Sequence, residues 1–491
     1  MSDVPAPLPP PSSAAPATTG ATTTRVAGSL RSGHLGLWHA IVISVAVMSP
    51  ASSIFFNTIP QAGAAGAAIP LCYVIGFVLA LLVANQYSEL SRELPSAGSA
   101  FTYVVEGLGP RWGFLTGWIG LIAVGLGAPF TFVIMSANLQ AIVYRWSGVN
   151  LHWSFYFVAA TGIVFALCYI GVRESLRVDL TFLAFEICIC LLLAAIVLLR
   201  VGQRGGLTAA PFTASPVPAN GSLAIGVVFA VLSFIGFEMA ATLAEETANP
   251  RRNIPRAVFG AMIVVGIFYI VMAYAATVGY GPGRMVTGYA NDPAPFDTIA
   301  RHFGGAGFAA IIDVVGVFSF FSAALGIVNG GSRILFAVGR EGMLPRWLGW
   351  THPTRQTPGA AITLLCGIGL VVGISLGLLL APINAFAFLG ILEALFILLI
   401  YVLVSVTCMR FFWRKRRAQF SLWRHGLVPI LGTLISVVVF LAAVASAFMP
   451  SPGQEALVFA PVVVGVWLLL GLALLLLLGK RVLGAATTAL A

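Results

Sequence analysis

Apolar residues run through the chain in blocks of about twenty, parted by short polar or basic stretches. Twelve blocks can be drawn, at 37–60, 67–86, 113–144, 152–171, 180–199, 222–243, 257–280, 307–336, 360–380, 385–409, 427–449 and 457–478. A helix of about twenty apolar residues covers the ~30 Å hydrocarbon core of a bilayer. The blocks are continuous and do not alternate, which argues for helices and against barrel strands. The pattern predicts an all-α polytopic membrane protein with twelve transmembrane helices.

Two blocks carry a break signal. The first holds MSPASSIFF (48–56), where Pro50 lacks a backbone donor and clashes with the preceding turn. Ser49, Ser52 and Ser53 flank it and can bond the freed backbone groups. The sixth holds SFIGFE (233–238), where Gly236 weakens the helix beside Glu238. Pro and Gly often only kink membrane helices. The matched positions carry more weight: each break falls in the first helix of a five-helix unit, and five is odd, so the units run in opposite orientation. Half-helix ends arranged in this way face a substrate near the bilayer midplane.

Composition agrees. The chain is 59% hydrophobic and 9% charged, whereas soluble chains carry about 25% charged residues. The net charge of +10 belongs to topology and not to nucleic acid. With both termini cytoplasmic, only Arg145, Arg200, Arg204, Arg284 and Arg301 of the 26 Lys and Arg fall on the far side. FFWRKRRAQFSLWR (411–424) reads as a basic cytoplasmic loop and topology anchor. Arg outnumbers Lys 24 to 2, as in GC-rich genomes, so the expected location is a plasma membrane of the bacterial inner-membrane kind. Residues 1–36 are rich in Pro, Ala, Ser and Thr and read as a disordered cytoplasmic tail without a secretory signal.

Cys72, Cys168, Cys188, Cys190, Cys366 and Cys408 all lie inside apolar blocks and form no disulfide framework. No metal spacing, phosphate loop or nucleophile elbow is present, so neither an enzyme nor a cofactor is expected. Four carboxylates do lie within the blocks: Glu186, Glu238, Asp313 and Glu393. A charge at a helix centre costs about 2.5–3.5 kcal/mol on insertion scales, so each needs a reason. Glu238 is open to three roles: binding a substrate amine, titrating, or accepting the amides freed by the break. Asp313 and Glu393 read first as helix–helix hydrogen-bonding groups. Glu245 and Glu246 lie beyond the sixth block, where Arg251, Arg252, Arg256, Arg92 or Arg333 can pair with them as an inner gate. Phe229, Phe234 and Phe237 border the second break, and one of them is a candidate to close over a substrate.

Three stretches carry a family resemblance. GFE, then EE and NPRRNIPRAV (236–258), resembles the sixth helix and following loop of the amino acid–polyamine–organocation permeases. SELSRELPSAGSAFTYVVEGLGPRWGFLTGW (88–118) looks like that family's loop into helix 3. SRILFAVGREGMLPRWLGWTHPTRQTPGAA (332–361) looks like its end of helix 8 and the way into helix 9. The resemblance runs from about residue 37 to 410. It implies the leucine-transporter fold, two inverted five-helix repeats plus two additional helices. The units would be 37–200 and 201–410, followed by 411–491 with the basic loop, helices 11 and 12 and a short tail.

In that family the unwound parts of helices 1 and 6 hold the substrate. The resemblance places the pocket at Ser49, Pro50, Ala51, Ser52 and Ser53, facing Phe234, Ile235, Gly236 and Phe237. Many members have a Gly-Ser-Gly type segment in helix 1, whereas Pro50 here offers no N–H to a carboxylate. That leaves room for an amine or a modified substrate. Sodium-independent members often carry a Lys near the position of Glu186, where it touches helix 1. The resemblance therefore implies a cation replaced by a titratable carboxyl, and Glu186 joins Glu238 as a coupling candidate. Sodium is the other option, with Ser52, Ser53 and backbone carbonyls as oxygen ligands.

The implied function is secondary active transport of an amino acid or related amine by alternating access, as proton symport. An obligate exchanger and a non-transporting nutrient sensor are the alternatives. The implied partners are the substrate, protons and the lipid bilayer. Helices 11 and 12 either join two copies as a homodimer or brace the bundle.

Overall fold

The computed structural model describes residues 30–219, 221–448 and 455–489. Helix α1 (Leu37–Met48) and α2 (Pro50–Ala65) are two halves of one path, parted at Ser49. They are followed by α3 (Ile69–Glu93), α4 (Ala100–Leu108), α5 (Pro110–Ser147), α6 (Trp153–Ile170) and α7 (Val172–Gln203). The second half begins with α8 (Leu223–Leu232) and the single turn α9 (Met239–Thr242), which are again two parts of one path. Then come α10 (Pro250–Tyr280), α11 (Pro295–Arg340), α12 (Gly359–Leu380) and α13 (Pro382–Lys415). Helices α14 (Val428–Ala447) and α15 (Phe459–Ala489) complete the chain.

Among the described residues, ten segments are long and apolar enough to cross a membrane. They do not map one to one onto the twelve blocks. The first two blocks merge into Leu37–Glu93, whose 57 residues are too long for one crossing. The sixth block is cut short at Leu232 by its break. Several helices extend past the apolar blocks: α7 starts at Val172 and not at 180, because a helix is continued by backbone bonding after the apolar run has ended. A helix also continues past 478, so the short tail expected there is helical through Ala489.

The broken helices lie inside the bundle. Helix α10 runs along α1, α3 and α7, and α11 lies against α5, α7, α1 and α2. The most apolar stretch of α5 is 83% buried, against 17% for the last membrane segment, which places α5 at the centre and α15 at the rim. Helix α15 is tied to α5 by stacked indoles. Trp118 and Trp467 lie 4.3 Å apart, and each ring N–H donates to the other residue's carbonyl, at 2.9 and 3.0 Å. The last helix thus braces the bundle.

Two close approaches hold the break in the first helix against its neighbours. A Cβ on Gly236 would lie 2.5 Å from the Val47 side chain and 3.0 Å from its carbonyl carbon. A Cβ on Gly326 of α11 would meet the same Val47 at 2.5 Å. Small residues are what allow membrane helices to approach this closely.

Basic side chains gather at one end, where Lys415 pairs with Glu106, Arg416 with Glu93 and Arg340 with Glu245. This end is the Arg-rich side of the bundle. The expected disordered tail needs a correction here. Residues 1–29 lie outside the described residues, but Leu35 is buried and bonded to the chain beyond α9. Its N–H donates to the Glu246 carbonyl at 3.0 Å, and its carbonyl accepts from the Ala248 N–H at 2.8 Å. Leu30 packs on Ala97 and Phe336. Two leucines with an apolar landing site are enough to order this stretch.

Gly236 has φ +115°, so Gly236→Ala meets both backbone strain and the Val47 clash. The expected cost is about 1–3 kcal/mol, read as a lower melting temperature in detergent. Gly316→Ala is the control, because its Cβ would find nothing nearer than Phe55 at 3.7 Å.

Candidate functional site

The first break is one residue wide. Ser49 sits in the left-handed region at φ 52° and ψ 66°, and Pro50 follows as the first residue of α2. A non-glycine residue pays strain there, of order 1–3 kcal/mol, so its surroundings must hold it. The Ser49 N–H is taken by the Val45 and Ala46 carbonyls. Its hydroxyl bonds that of Ser52 and lies 3.1 Å from the Ser319 carbonyl, to which it donates. The Ser52 N–H donates to the Ser319 hydroxyl at 3.1 Å, and the Ser53 N–H to the Ser49 carbonyl at 2.8 Å. The first amides of α2 are therefore largely engaged within the protein. Pro50 and Ala51 are buried beside them.

The second break spans 233–238, with Gly236 at φ 115°. The Gly236 N–H donates to Glu238 Oε2 at 3.1 Å, and the Tyr401 hydroxyl donates to the same oxygen at 2.8 Å. Glu238 thus caps its own break. Ser44 of α1 ties the two broken helices together: its hydroxyl donates to the Phe237 carbonyl at 2.6 Å and accepts from the Ala240 N–H at 2.9 Å. Tyr269 of α10 completes the tie. Its hydroxyl lies 2.8 Å from the Met48 carbonyl and 2.8 Å from the Ser233 carbonyl, one at each break. A phenol has one proton, so the two carbonyls share it.

The bordering aromatics divide. Phe234 packs on Phe77 and Tyr269, and Phe237 on Tyr87 and Tyr401, so both rings are committed behind the second break. Ile235 is partly buried against the core. Phe229 is half-buried, and its carbonyl accepts from the Ser233 hydroxyl at 3.0 Å. A different aromatic group lies one turn beyond Ser52, away from the Arg-rich side. Phe56 is 5.5 Å from Phe320 and 5.9 Å from Phe386, and Phe386 stacks on Phe130 at 4.5 Å. Glu393 of α13 lies against Gly127 of α5. Asp313 pairs with Arg145 at the opposite end from the Arg-rich side.

Glu186 differs from Glu238 in one respect. It is fully buried on α7, and among the described residues neither of its oxygens has a hydrogen-bond partner. The polar groups nearest it are the Ser319 hydroxyl and the Ala51 backbone, at the start of α2.

The Arg-rich side is closed by ion pairs. Glu246 bonds Arg333 of α11, and both side chains are almost wholly buried. The Arg333 guanidinium also donates to the Asn329 carbonyl at 2.6 Å. Glu245 accepts from Arg340 at 2.7 and 2.9 Å and from the Ala97 N–H at 3.0 Å. Burial pushes the Glu245 carboxyl up, but Arg340, the Ala97 amide and Ser96 outweigh this and hold it below the usual glutamate value of 4.5. A depressed carboxyl contributes its stability above its ordinary value and loses it as the pH falls through the folded value. This pair therefore stays charged at neutral pH. Arg92 is a correction: it lies 3.6 Å from Glu89, one turn back on its own helix, and not at Glu245 or Glu246. The i,i+3 spacing makes Glu89 its nearest partner.

Sequence reasoning misses Tyr269, Ser44, Ser319, Tyr401, Arg340 and the Phe56 group. Tyr401 alone carries a legible signal, the one phenol inside the apolar block at 385–409. Among the described residues, no group of three or more His, Cys, Asp or Glu is placed to hold a metal ion.

Comparison with known proteins gives the same frame. The family description "Amino acid permease" matches residues 35–473. The branched-chain amino acid permease BcaP of Bacillus subtilis is 28% identical over 328 residues, covering 63% of this chain and 68% of BcaP. The low-affinity putrescine importer PlaP of Escherichia coli K12 is 26% identical over 417 residues, covering 82% of this chain and 86% of PlaP. Among solved structures, MhsT in complex with L-phenylalanine matches with a TM-score of 0.61 at 15% identity, over 84% of this chain and 99% of MhsT. That likeness gives the leucine-transporter fold.

Tyr269→Phe removes the shared proton from two carbonyls at once. It is expected to cost about 1–3 kcal/mol, since the buried Ser233 carbonyl loses its side-chain donor while the Met48 carbonyl keeps the Ser53 hydroxyl at 2.8 Å, and to be seen as a lower melting temperature. Arg333→Leu leaves Glu246 buried and unpaired, for an expected loss of about 3–5 kcal/mol. Adding Glu246→Leu is expected to recover most of it in the same melting assay.

Proposed function

The chain belongs to the amino acid permease family, and on that footing we propose that it is a proton-coupled secondary transporter for an amino acid or related amine. It works by alternating access about the two breaks. The observation that carries this reading is the meeting of the broken helices at Tyr269 and Ser44, with an unpartnered carboxyl, Glu186, beside the first break. Glu186 is the coupling group. Its bare oxygens face the start of α2, so protonation and the position of that helix half are linked. Glu238 has a structural role, because Gly236 and Tyr401 already occupy it.

The Arg-rich side is cytoplasmic, by the positive-inside rule. The Glu246–Arg333 and Glu245–Arg340 pairs form the inner gate, and the Phe56, Phe130, Phe320 and Phe386 group forms the outer lid. The substrate sits between them at Ser49–Ser53 and Ile235–Gly236. The names of BcaP and PlaP support a choice between a branched-chain amino acid and a diamine. The engaged amides of α2 favour a ligand that depends little on carboxylate binding there.

The test is uptake by the full chain in proteoliposomes, with L-leucine, L-isoleucine, L-valine and putrescine as probes. One proton per substrate supports about tenfold accumulation for each unit of pH gradient. The wild type is expected to approach that ratio for at least one probe, and Glu186→Gln to lose the response to the gradient while keeping counterflow. Uptake only against internal substrate, indifferent to pH, identifies an exchanger instead. Binding without flux identifies a sensor.

A further inference from the structure

Glu186 is not the only bare carboxyl on α7. Asp179 lies two turns closer to the Arg-rich side on the same helix face, is fully buried, and among the described residues has no hydrogen-bond partner on either oxygen. Two unpartnered acids on one buried face are not a packing solution, since uncharged residues of that size would fill it at lower cost.

The facing helix supplies a second observation. Helix α11 presents Ser319 to Glu186 and Ser322 to Asp179. The Ser322 hydroxyl is itself buried and unpartnered, as is Asn329 Oδ1 further along. Asn329 donates to the Ser175 hydroxyl at 2.9 Å, and its carbonyl accepts from Arg333, the buried partner of Glu246. The polar groups therefore form a line along the α7–α11 seam. It begins at Glu186 and Ser319 beside the first break, passes Asp179 and Ser322, then Ser175 and Asn329, and ends at the Arg333–Glu246 pair.

Few other ionisable groups approach this line. Cys168 of α6 lies near Asp179 and Arg333, with Cys366 of α12 behind it. Tyr269 of α10 is near Glu186. Arg173 and Arg177 project from the exposed face of α7, where His39 of α1 is their neighbour. No cation contacts either carboxyl among the described residues, so a proton is the charge that each is built to accept.

We propose that Asp179 is the second station of a proton relay that carries the proton from Glu186 to the cytoplasmic gate. This rests on the reading of Glu186 as the coupling group. The Glu186 carboxyl gives its proton to a bridging water, and a water at the other end of the chain protonates the Asp179 carboxylate. Asp179 then releases the proton to bulk water when the Arg333–Glu246 pair parts. Seven residues of helix rise to about 10 Å, so water must span the gap, with Ser322 as the intermediate hydroxyl. No bond other than O–H is made or broken.

The experiment compares Asp179→Asn, Asp179→Glu, Ser322→Ala and Glu186→Gln as full chains in proteoliposomes, with L-leucine and putrescine as probes. Counterflow and uptake driven by a pH gradient are both measured, beside proton influx followed with an internal dye. Asp179→Asn is expected to keep counterflow but lose about a hundredfold in proton-driven uptake, the lower end of what a positioned proton-transfer group contributes. Asp179→Glu should restore it in part, and Ser322→Ala should reduce it in the same direction. Infrared difference spectra between acid and neutral pH should lose one protonated-carboxyl band in Asp179→Asn and a different one in Glu186→Gln.

Proton-driven uptake unchanged in Asp179→Asn, with Glu186→Gln impaired, overturns the relay and leaves the coupling reading intact. A wild type that imports substrate without protons overturns the coupling reading itself. A sodium requirement that shifts in Asp179→Asn makes this residue a cation ligand and also overturns the relay. If Asp179→Asn does not fold, Ser322→Ala decides the matter, and unchanged proton-driven uptake in that variant overturns the relay.

Discussion

The structure depends on one constraint: two membrane helices are broken at the same depth, and every backbone group that the breaks expose must find a partner without water. A hydrocarbon interior offers none, and each orphan costs several kcal/mol. The solution uses few atoms. Tyr269 shares one hydroxyl proton between the Met48 and Ser233 carbonyls, and Ser44 serves both a carbonyl and an amide of the second break. Because each of these side chains touches a broken helix other than its own, the breaks are held relative to one another. Separating them would expose several groups together, which makes the arrangement cooperative.

The same constraint separates the two central glutamates. Glu238 receives the Gly236 amide and the Tyr401 hydroxyl on one oxygen, so its carboxyl is held by hydrogen bonds where it stands. Among the described residues no donor meets Glu186 at hydrogen-bond distance and angle, although the Ser319 hydroxyl and Ala51 backbone lie nearest it. A satisfied carboxylate stabilises one geometry. An unsatisfied one favours whatever change brings it a partner, be it a proton or a moved helix. This is the physical basis for assigning a structural role to the first and a coupling role to the second.

At the Arg-rich side the closure is electrostatic, whereas the far side of the site is bordered by aromatic rings. This closure draws on four distant parts of the chain: the segment at Leu35, the turn at 96–97, the residues after α9 and the end of α11. Ion pairs that are directional and few can part as a set. A ring cluster such as Phe56, Phe130, Phe320 and Phe386 can instead shear and repack, since its contacts are non-directional.

Much of this is legible in the sequence. The apolar blocks predict an all-helical membrane bundle, because spanning a bilayer requires only local length and polarity. Both breaks are legible too, at Pro50 and Gly236, because a missing N–H and a missing Cβ are properties of the residues themselves. The basic residues mark one face for the same local reason. Partners are another matter. Tyr269 meets Met48 across 221 positions and Ser319 meets Ser52 across 267, and no local pattern encodes such a pairing. Asp179 falls one residue outside the block at 180–199, so the hydropathy pattern passes over it: the apolar run ends where polar residues begin, but the buried helix does not. The sequence by itself determined that the chain is a bundle of apolar, membrane-crossing helices and where two of them break. Only the tertiary structure decided which buried polar groups are satisfied, because a hydrogen bond is set by distance in space and not by distance along the chain.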